Sequence, residues 1–136
     1  MRLVLVAAAA IYDADGRILL AQRPPGKPMA GLWEFPGGKI DTGETPEKAL
    51  VRELFEELGM IVEEKDLKPI TFASYRYPDF HLLMPLFECR KWNGKLEPLE
   101  GQAIKWVEPG ALVEHPAPAA DLPLFRVLAG SKDGRE

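Results

Sequence analysis

The chain contains 136 residues, 46% of them hydrophobic and 28% charged, which fits a soluble globular protein with one core. The formal net charge of −4 argues against a nucleic-acid polymer as partner, because a long phosphate backbone requires a basic surface. The one cysteine, Cys89, excludes an intrachain disulfide and fits a cytoplasmic protein. We therefore expect a single domain over residues 1–136, with 130–136 as a flexible tail.

Two strands are predicted at the start of the chain. Residues 3–11 are apolar on both faces, which is typical of a buried strand, and residues 18–22 form its expected neighbour. The turn at 12–16 would join them into a β-hairpin. The apolar run after Met1-Arg2 is short for a signal peptide, and no stretch reaches the ~20 apolar residues of a membrane span.

The middle of the chain contains the clearest helix, at residues 45–58. It follows a Pro- and Gly-rich loop at 24–28 and a short extended segment at 33–36, which Gly37-Gly38 is expected to break. Thr45 suits the helix cap, Pro46 the first helical position and Gly59 the stop.

Strands again dominate the second half of the chain. Residues 70–77 and 81–92 are predicted strands around a turn at Pro78-Asp79, and Asn93-Gly94 is a hairpin turn signal. A short strand at 103–107 and a helix at 122–128 complete the order. Strands mixed with two helices indicate an α/β/α layered fold.

The central helix has two chemically different sides. Turning by ~100° per residue, it places an apolar arc on one side, formed by Leu50, Val51, Leu54, Phe55 and Leu58. The other side gathers Glu53, Glu56 and Glu57 at spacings i, i+3 and i+4. Carboxylates this close repel one another unless a cation lies among them, and all-oxygen ligands suit Mg²⁺ or Mn²⁺.

A solvated acidic helix face is the alternative interpretation of these glutamates. Three further features favour the metal site. Gly37-Gly38 offers bare backbone that a metal or phosphate can approach. Glu44 precedes the helix and can reach back toward the same point, and Arg52 can hold a carboxylate in one rotamer.

These residues resemble the signature of the Nudix family, whose fixed positions are all filled at the family's spacing. They are Gly38, Glu44, Arg52, Glu53, Leu54, Glu56, Glu57, Gly59 and Met60. Residues 3–128 also resemble the MutT branch, through the stretches at 33–39, 77–79, 100–102 and 118–123. The resemblance implies the Nudix fold, an α/β/α sandwich with a mixed β-sheet.

The resemblance also implies roles for these residues. The Gly37 carbonyl, Glu53, Glu56 and Glu57 would hold Mg²⁺, with Mn²⁺ as a substitute, and Glu53 would also serve as base for the attacking water. Glu100 matches a glutamate of the metal or water network, while Glu44 and Arg52 belong with the catalytic group. The implied reaction cleaves a nucleoside triphosphate to the monophosphate and pyrophosphate, with attack at the β-phosphorus.

Substrate contacts are implied for a second set of residues. They are Arg23, Glu34, Phe35, Pro36, Gly37, Gly38 and Asp121, with Leu3, Leu5 and Leu82 as apolar helpers of Phe35. The first expected substrate is 8-oxo-dGTP, in nucleotide-pool sanitation and DNA repair. Asp121 stands where the 8-oxo-dGTP enzyme has Asn, and an ionised Asp only accepts hydrogen bonds. CTP or a modified (d)CTP is therefore the alternative substrate, since cytosine has an exocyclic amine.

Other classes remain open from the sequence alone. A diphosphatase for ADP-ribose, NADH or a dinucleotide would usually carry extra recognition segments. A non-catalytic Nudix domain would usually lack signature glutamates, and none is missing here. A scaffold with an acidic helix would leave Gly37-Gly38 and Arg52 unexplained. The lack of a heptad or apolar stripe beyond the core predicts a monomer without a membrane partner.

Overall fold

The computed structural model describes residues 1–130, which form nine strands and two α-helices together with two short 3-10 turns. The strands are β1 (Arg2–Ile11), β2 (Ile18–Gln22), β3 (Trp33–Glu34), β4 (Gly37–Lys39), β5 (Met60–Ile61), β6 (Leu67–Arg76), β7 (Phe80–Cys89), β8 (Asn93–Gly94) and β9 (Ala103–Val107). The helices are α1 (Pro46–Leu58) and α2 (Asp121–Gly130). Gly130, which was predicted to belong to a flexible tail, is the last residue of α2, and residues 131–136 of that predicted tail lie outside the described part.

Two sheets carry most of the strands. The larger has the order β4-β1-β7-β6, in which β1 runs parallel to β7 and all other neighbours are antiparallel. The smaller is antiparallel, with the order β3-β2-β9. The predicted mixed sheet is therefore confirmed.

The two helices cover opposite faces of the larger sheet. Alternate residues of a strand point to opposite faces, and β1 shows this clearly. Ala7 and Ala9 pack with Leu50 and Leu54 of α1, while Ala8 packs with α2. The side chains of α2 in that second cluster are Leu124, Phe125 and Leu128. The α/β/α sandwich is thus confirmed, and neither helix within residues 1–130 has the length and apolarity to cross a membrane.

The predicted hairpin between the first two strands is wrong. Only one isolated bridge, Tyr12 to Ile18, joins them, and β2 belongs to the smaller sheet. The reason is that β4 and β7 occupy the two hydrogen-bonding edges of β1.

Two glycine-containing dipeptides also behave differently from the prediction. Gly37-Gly38 does not break a strand but forms β4 with Lys39, paired to β1. Asn93-Gly94 is not a hairpin turn, since it forms β8 and pairs with β5. Both pairings join segments distant in the chain, so local turn signals could not reveal them.

One residue of the predicted apolar arc lies outside the core. Phe55 is 57% exposed, whereas Leu50, Leu54 and Leu58 are fully buried. Phe55 stands at the outer end of the arc, beyond the reach of the sheet. Ala49, which the prediction left out, is fully buried instead.

Candidate active site

The position of α1 is set by the caps that the sequence predicts. The Thr45 hydroxyl accepts the Lys48 N–H at 3.1 Å, and Pro46 occupies the first turn. Gly59 ends the helix in the left-handed region, φ 70°, and donates its N–H to the Phe55 carbonyl at 3.0 Å. These caps fix where the acidic side of the helix lies.

That acidic side meets β4 at its two glycines. A Cβ atom at Gly38 would overlap the carboxyl group of Glu53, and one at Gly37 would overlap the Ala7 carbonyl. Only glycine at 38 leaves room for the Glu53 carboxylate beside the strand. The structure therefore brings the predicted glycine pair and the predicted acidic helix into direct contact.

Arg52 holds two of the glutamates in place. Its guanidinium donates to both oxygens of Glu44, at 2.8 and 2.9 Å, and to Glu53 Oε2 at 2.9 Å. It also reaches the Lys39 carbonyl at 3.2 Å. Its hydrogen bonds lower the pKa of Glu44 to about 2, and those same bonds raise the pKa of Arg52 itself. Arg52 thus fixes the Glu53 rotamer, as the sequence predicts.

Glu57 lies in an unusual electrostatic environment. Burial is the largest cause that raises its pKa, to about 9, followed by a hydrogen bond to Glu53 and the charges of Glu53, Glu100 and Glu34. Neighbouring carboxyl groups that are partly buried and repel one another mark a place where a cation would be stabilised. The Glu56 side chain is 55% exposed, and its Oε1 lies 3.4 Å from Arg52 Nη1.

The donor set fits a divalent cation of the Mg²⁺ type. It consists only of carboxylate and backbone oxygens. Because Gly38 has no side chain, the Glu53 carboxylate can lie directly beside β4. Within residues 1–130, no three acidic, histidine or cysteine side chains already converge on one point. An ion would therefore have to draw the carboxylates together.

A cleft of about 680 Å³ lies beside this helix. Predicted site residues make up much of its lining: Arg23, Glu34, Phe35, Pro36, Gly37, Gly38, Glu53, Glu57 and Glu100. Residues to which the sequence interpretation gave no role also line it: Gln22, Lys27, Lys39, Asp41 and Gln102. Glu44, Arg52, Glu56 and Asp121 are not part of the lining.

The loop that carries Glu100 is tied to the end of α1. The Leu99 N–H donates to the Glu57 carbonyl at 3.0 Å, and Gln102 Nε2 donates to the same carbonyl at 3.2 Å. Gln102 Oε1 also accepts the Glu100 N–H at 2.9 Å. These contacts bring Glu100 to the side of Glu57. No local pattern identifies Gln102, because its partner is 45 residues away.

Arg23 and Glu34 form an ion pair at the rim of the cleft, with Nε 3.1 Å from Glu34 Oε2. Burial nevertheless raises the pKa of Glu34, and Arg23 only moderates the rise. Arg23 therefore lines the cleft while its Nε is paired with Glu34.

Asp121 lies behind Phe35 rather than in the cleft. It is 5% exposed, and its Oδ2 accepts the Phe35 N–H at 3.3 Å. Burial raises its pKa to about 7, and the Glu34 charge adds to the rise. Phe35 itself is both core and cleft wall, packed edge-to-face on Phe125 with ring centroids 5.1 Å apart.

Leu82, one of the apolar helpers predicted for Phe35, packs against its cluster, but the other two do not. Leu3 and Leu5 are exposed, and their odd positions place them on the α1 face of β1. Phe35 belongs to the cluster on the other face, with Ala8. The alternation of side chains along a strand accounts for the error.

The chain has a mixed sheet between two helices, and its acidic helix packs against a strand that contains two glycines. This arrangement is that of a class of hydrolase domain. The model of the NUDIX domain matches residues 1–128, and the chain belongs to the Nudix hydrolase family.

Similar proteins come from several bacteria. The chain is 37% identical to the CTP pyrophosphohydrolase of Escherichia coli K12, over 99% of this chain and 98% of that protein. It is 38% identical to the 8-oxo-dGTP diphosphatase of Haemophilus influenzae, over 93% and 92% of the two chains. A solved MutT structure from work on Aliivibrio salmonicida and Vibrio cholerae superposes with a TM-score of 0.81. That structure is 29% identical to this chain and is covered completely, with 96% of this chain aligned.

Proposed function

We propose that this protein is a Mg²⁺-dependent nucleoside triphosphate pyrophosphohydrolase, which releases the monophosphate and pyrophosphate. The observation that carries the proposal is the contact of Glu53 with Gly38 and Glu57 at the wall of the cleft. Relatives that match this chain over almost their full length are named for hydrolysis of nucleoside triphosphates.

The proposed mechanism assigns Gly37 through its carbonyl, Glu53, Glu56 and Glu57 to the metal. When bound, Mg²⁺ neutralises polyphosphate charge and lowers the pKa of a water molecule. Glu53, held in one rotamer by Arg52, takes the proton of the water that attacks the β-phosphorus. Glu100, which lies beside Glu57, orients a water molecule.

The rim of the cleft would bind the rest of the nucleotide. Arg23 and the backbone of residues 34–38 would face the phosphates and the sugar, and Phe35 would form an apolar wall for the base. These assignments rest on the position of each residue in the cleft and on the family resemblance.

Arg52→Lys should lower kcat about tenfold and leave KM almost unchanged. Lysine keeps the charge but cannot donate to Glu44 and Glu53 in the fixed planar geometry of the guanidinium, so Glu53 loses its single orientation. Steady-state kinetics would measure the effect. Arg17→Lys is the matched control, since Arg17 pairs with Asp13 outside the cleft. Equal losses in the two variants would contradict the role of Arg52.

For the base, 8-oxo-dGTP is the first candidate, and CTP or a modified (d)CTP is the second. The second candidate follows from Asp121, whose carboxylate, once ionised above about pH 7, accepts from the exocyclic amine of cytosine. Values of kcat/KM for 8-oxo-dGTP, dGTP, CTP and a 5-modified dCTP would rank the substrates, with ADP-ribose as the rival. Release of orthophosphate instead of pyrophosphate would overturn the proposed reaction.

The raised pKa of Asp121 predicts a pH-dependent stability. The folded protein holds this proton up to about pH 7, whereas the unfolded chain releases it near 3.8. The free energy of unfolding should therefore fall as pH rises from 4 to 7, by at most roughly 4 kcal/mol from this group.

Thermal unfolding between pH 4 and 8 would test this prediction. Asp121→Asn keeps an acceptor for the Phe35 N–H without titrating, so its stability should depend less on pH than that of the wild type. Asp15→Asn, at an exposed carboxylate, is the control. Parallel curves for wild type and Asp121→Asn would show that Asp121 does not carry the effect.

The proposal includes a cytoplasmic monomer that acts on free nucleotides rather than on a nucleic-acid polymer. The net charge of −4 and the single cysteine support it. Light scattering of the purified protein would test the monomer.

A further inference from the structure

The first turn of α2 lacks a side-chain cap of its own. The residue before the helix is Ala120, which is 1% exposed and has no side-chain acceptor. Its backbone N–H is instead donated to the hydroxyl of Tyr77, 3.2 Å away and 43 residues earlier in the chain. Tyr77, in the turn just after β6, therefore supplies the acceptor that fixes the start of this helix.

The ring of Tyr77 is itself held firmly. It stacks on Phe80 with a centroid distance of 5.0 Å and an interplanar angle of 27°, and it lies 4.7 Å from the Tyr75 ring. Its backbone N–H donates to the Phe80 carbonyl at 2.8 Å, which closes the turn between β6 and β7. The hydroxyl thus has a fixed position relative to the larger sheet.

Asp121 follows Ala120 directly, so its carboxylate depends on that position. Oδ2 accepts the Phe35 N–H, while no donor within residues 1–130 bonds Oδ1. Through Oδ2, Asp121 holds the backbone of Phe35, which forms part of the cleft wall. The position of α2 therefore determines where this part of the wall lies.

We propose that Tyr77 is a positioning residue for nucleobase discrimination, which acts by fixing the start of α2 and hence the orientation of Asp121. The ligand it serves is the nucleobase that lies against the cleft wall at Phe35, whose backbone Asp121 holds. This inference rests on the proposed function and deepens it. Tyr77 belongs to neither the cleft lining nor the acidic helix, so it would act through Asp121 and Phe35 rather than by contact with the ligand.

Tyr77→Phe removes only the hydroxyl and keeps the stacked ring. We expect KM for the preferred nucleotide to rise about five- to tenfold, with kcat within twofold, because the buried Ala120 N–H loses its acceptor. The ratio of kcat/KM between preferred and disfavoured bases should fall by the same factor. Tyr75→Phe is the matched control on the same aromatic cluster, and it should change neither quantity.

A double-mutant cycle with Asp121→Ala shows whether Tyr77 acts through Asp121. The two changes should not add: the double variant should discriminate bases no worse than Asp121→Ala alone. Where Asp121→Ala fails to fold, Asp121→Asn replaces it in the cycle. Thermal midpoints of all variants report any general loss of stability.

Each outcome has a defined meaning. Retained discrimination in Tyr77→Phe, additive losses, or an equal rise of KM for every base would overturn the role of Tyr77 while the proposed reaction stands. If the wild-type protein hydrolyses triphosphates without base preference, the role of Tyr77 is overturned and the proposed reaction still stands. A wild type without triphosphate hydrolysis would overturn the proposed function, and this inference with it.

Discussion

Replacing Glu57 with glutamine should lower kcat about a thousandfold and leave the fold intact. The change removes one negative oxygen from the proposed metal site, and loss of roughly 4 kcal/mol of charge stabilisation corresponds to that factor. Glutamine has almost the same shape, and the carbonyl of residue 57 would still accept the bonds from Leu99 and Gln102. The neutral amide also avoids the cost of burying a charge and the repulsion from neighbouring glutamates, which together raise the pKa of Glu57.

Turnover with saturating Mg²⁺, together with circular dichroism, would measure this effect. Glu47→Gln is the matched control, because Glu47 lies on the first turn of the same helix and outside the cleft lining. Near-normal turnover in Glu57→Gln would contradict the metal assignment, as would equal losses in the two variants.

Gly38→Ala should lower kcat/KM about a hundredfold. The added Cβ would overlap the Glu53 carboxyl group, which must then leave its place beside β4. A displacement of about 1 Å at a reacting centre can cost a factor of this size. The clash is with the end of a side chain that can rotate away, so we expect only a small loss of stability.

Gly110→Ala is the control for this prediction. A Cβ atom at Gly110 meets no atom within 4 Å, and its backbone is outside the left-handed region. Kinetics and thermal unfolding of the two variants would separate the loss of activity from loss of fold. A Gly38→Ala enzyme with normal kcat/KM would show that the position of Glu53 beside β4 is not needed.

The central helix could be predicted because its information is local. Thr45, Pro46 and Gly59 define its ends within a few residues, and the spacing of the glutamates places them on one side. The contact between Arg52 and Glu44 also follows from short spacing along the chain. Both the helix and the acidic part of the candidate site could therefore be predicted from these residues.

Features that depend on distant partners could not be predicted in the same way. The pairing of β4 with β1, and of β8 with β5, is decided by packing of segments far apart in sequence. The position of Asp121 behind Phe35 depends on a contact across 86 residues. The resemblance identified Asp121 as important, but only the packing of α2 shows that one of its oxygens holds the cleft wall.

The central claim is that Gly37, Glu53 and Glu57 bind the metal ion at which a triphosphate is cleaved. A crystal structure with Mg²⁺ and a non-hydrolysable triphosphate analogue tests this claim most directly. We predict an ion bound by the Gly37 carbonyl and these two carboxylates, with the phosphates of the analogue beside it. An analogue bound elsewhere, with both carboxylates free of metal, would contradict the account.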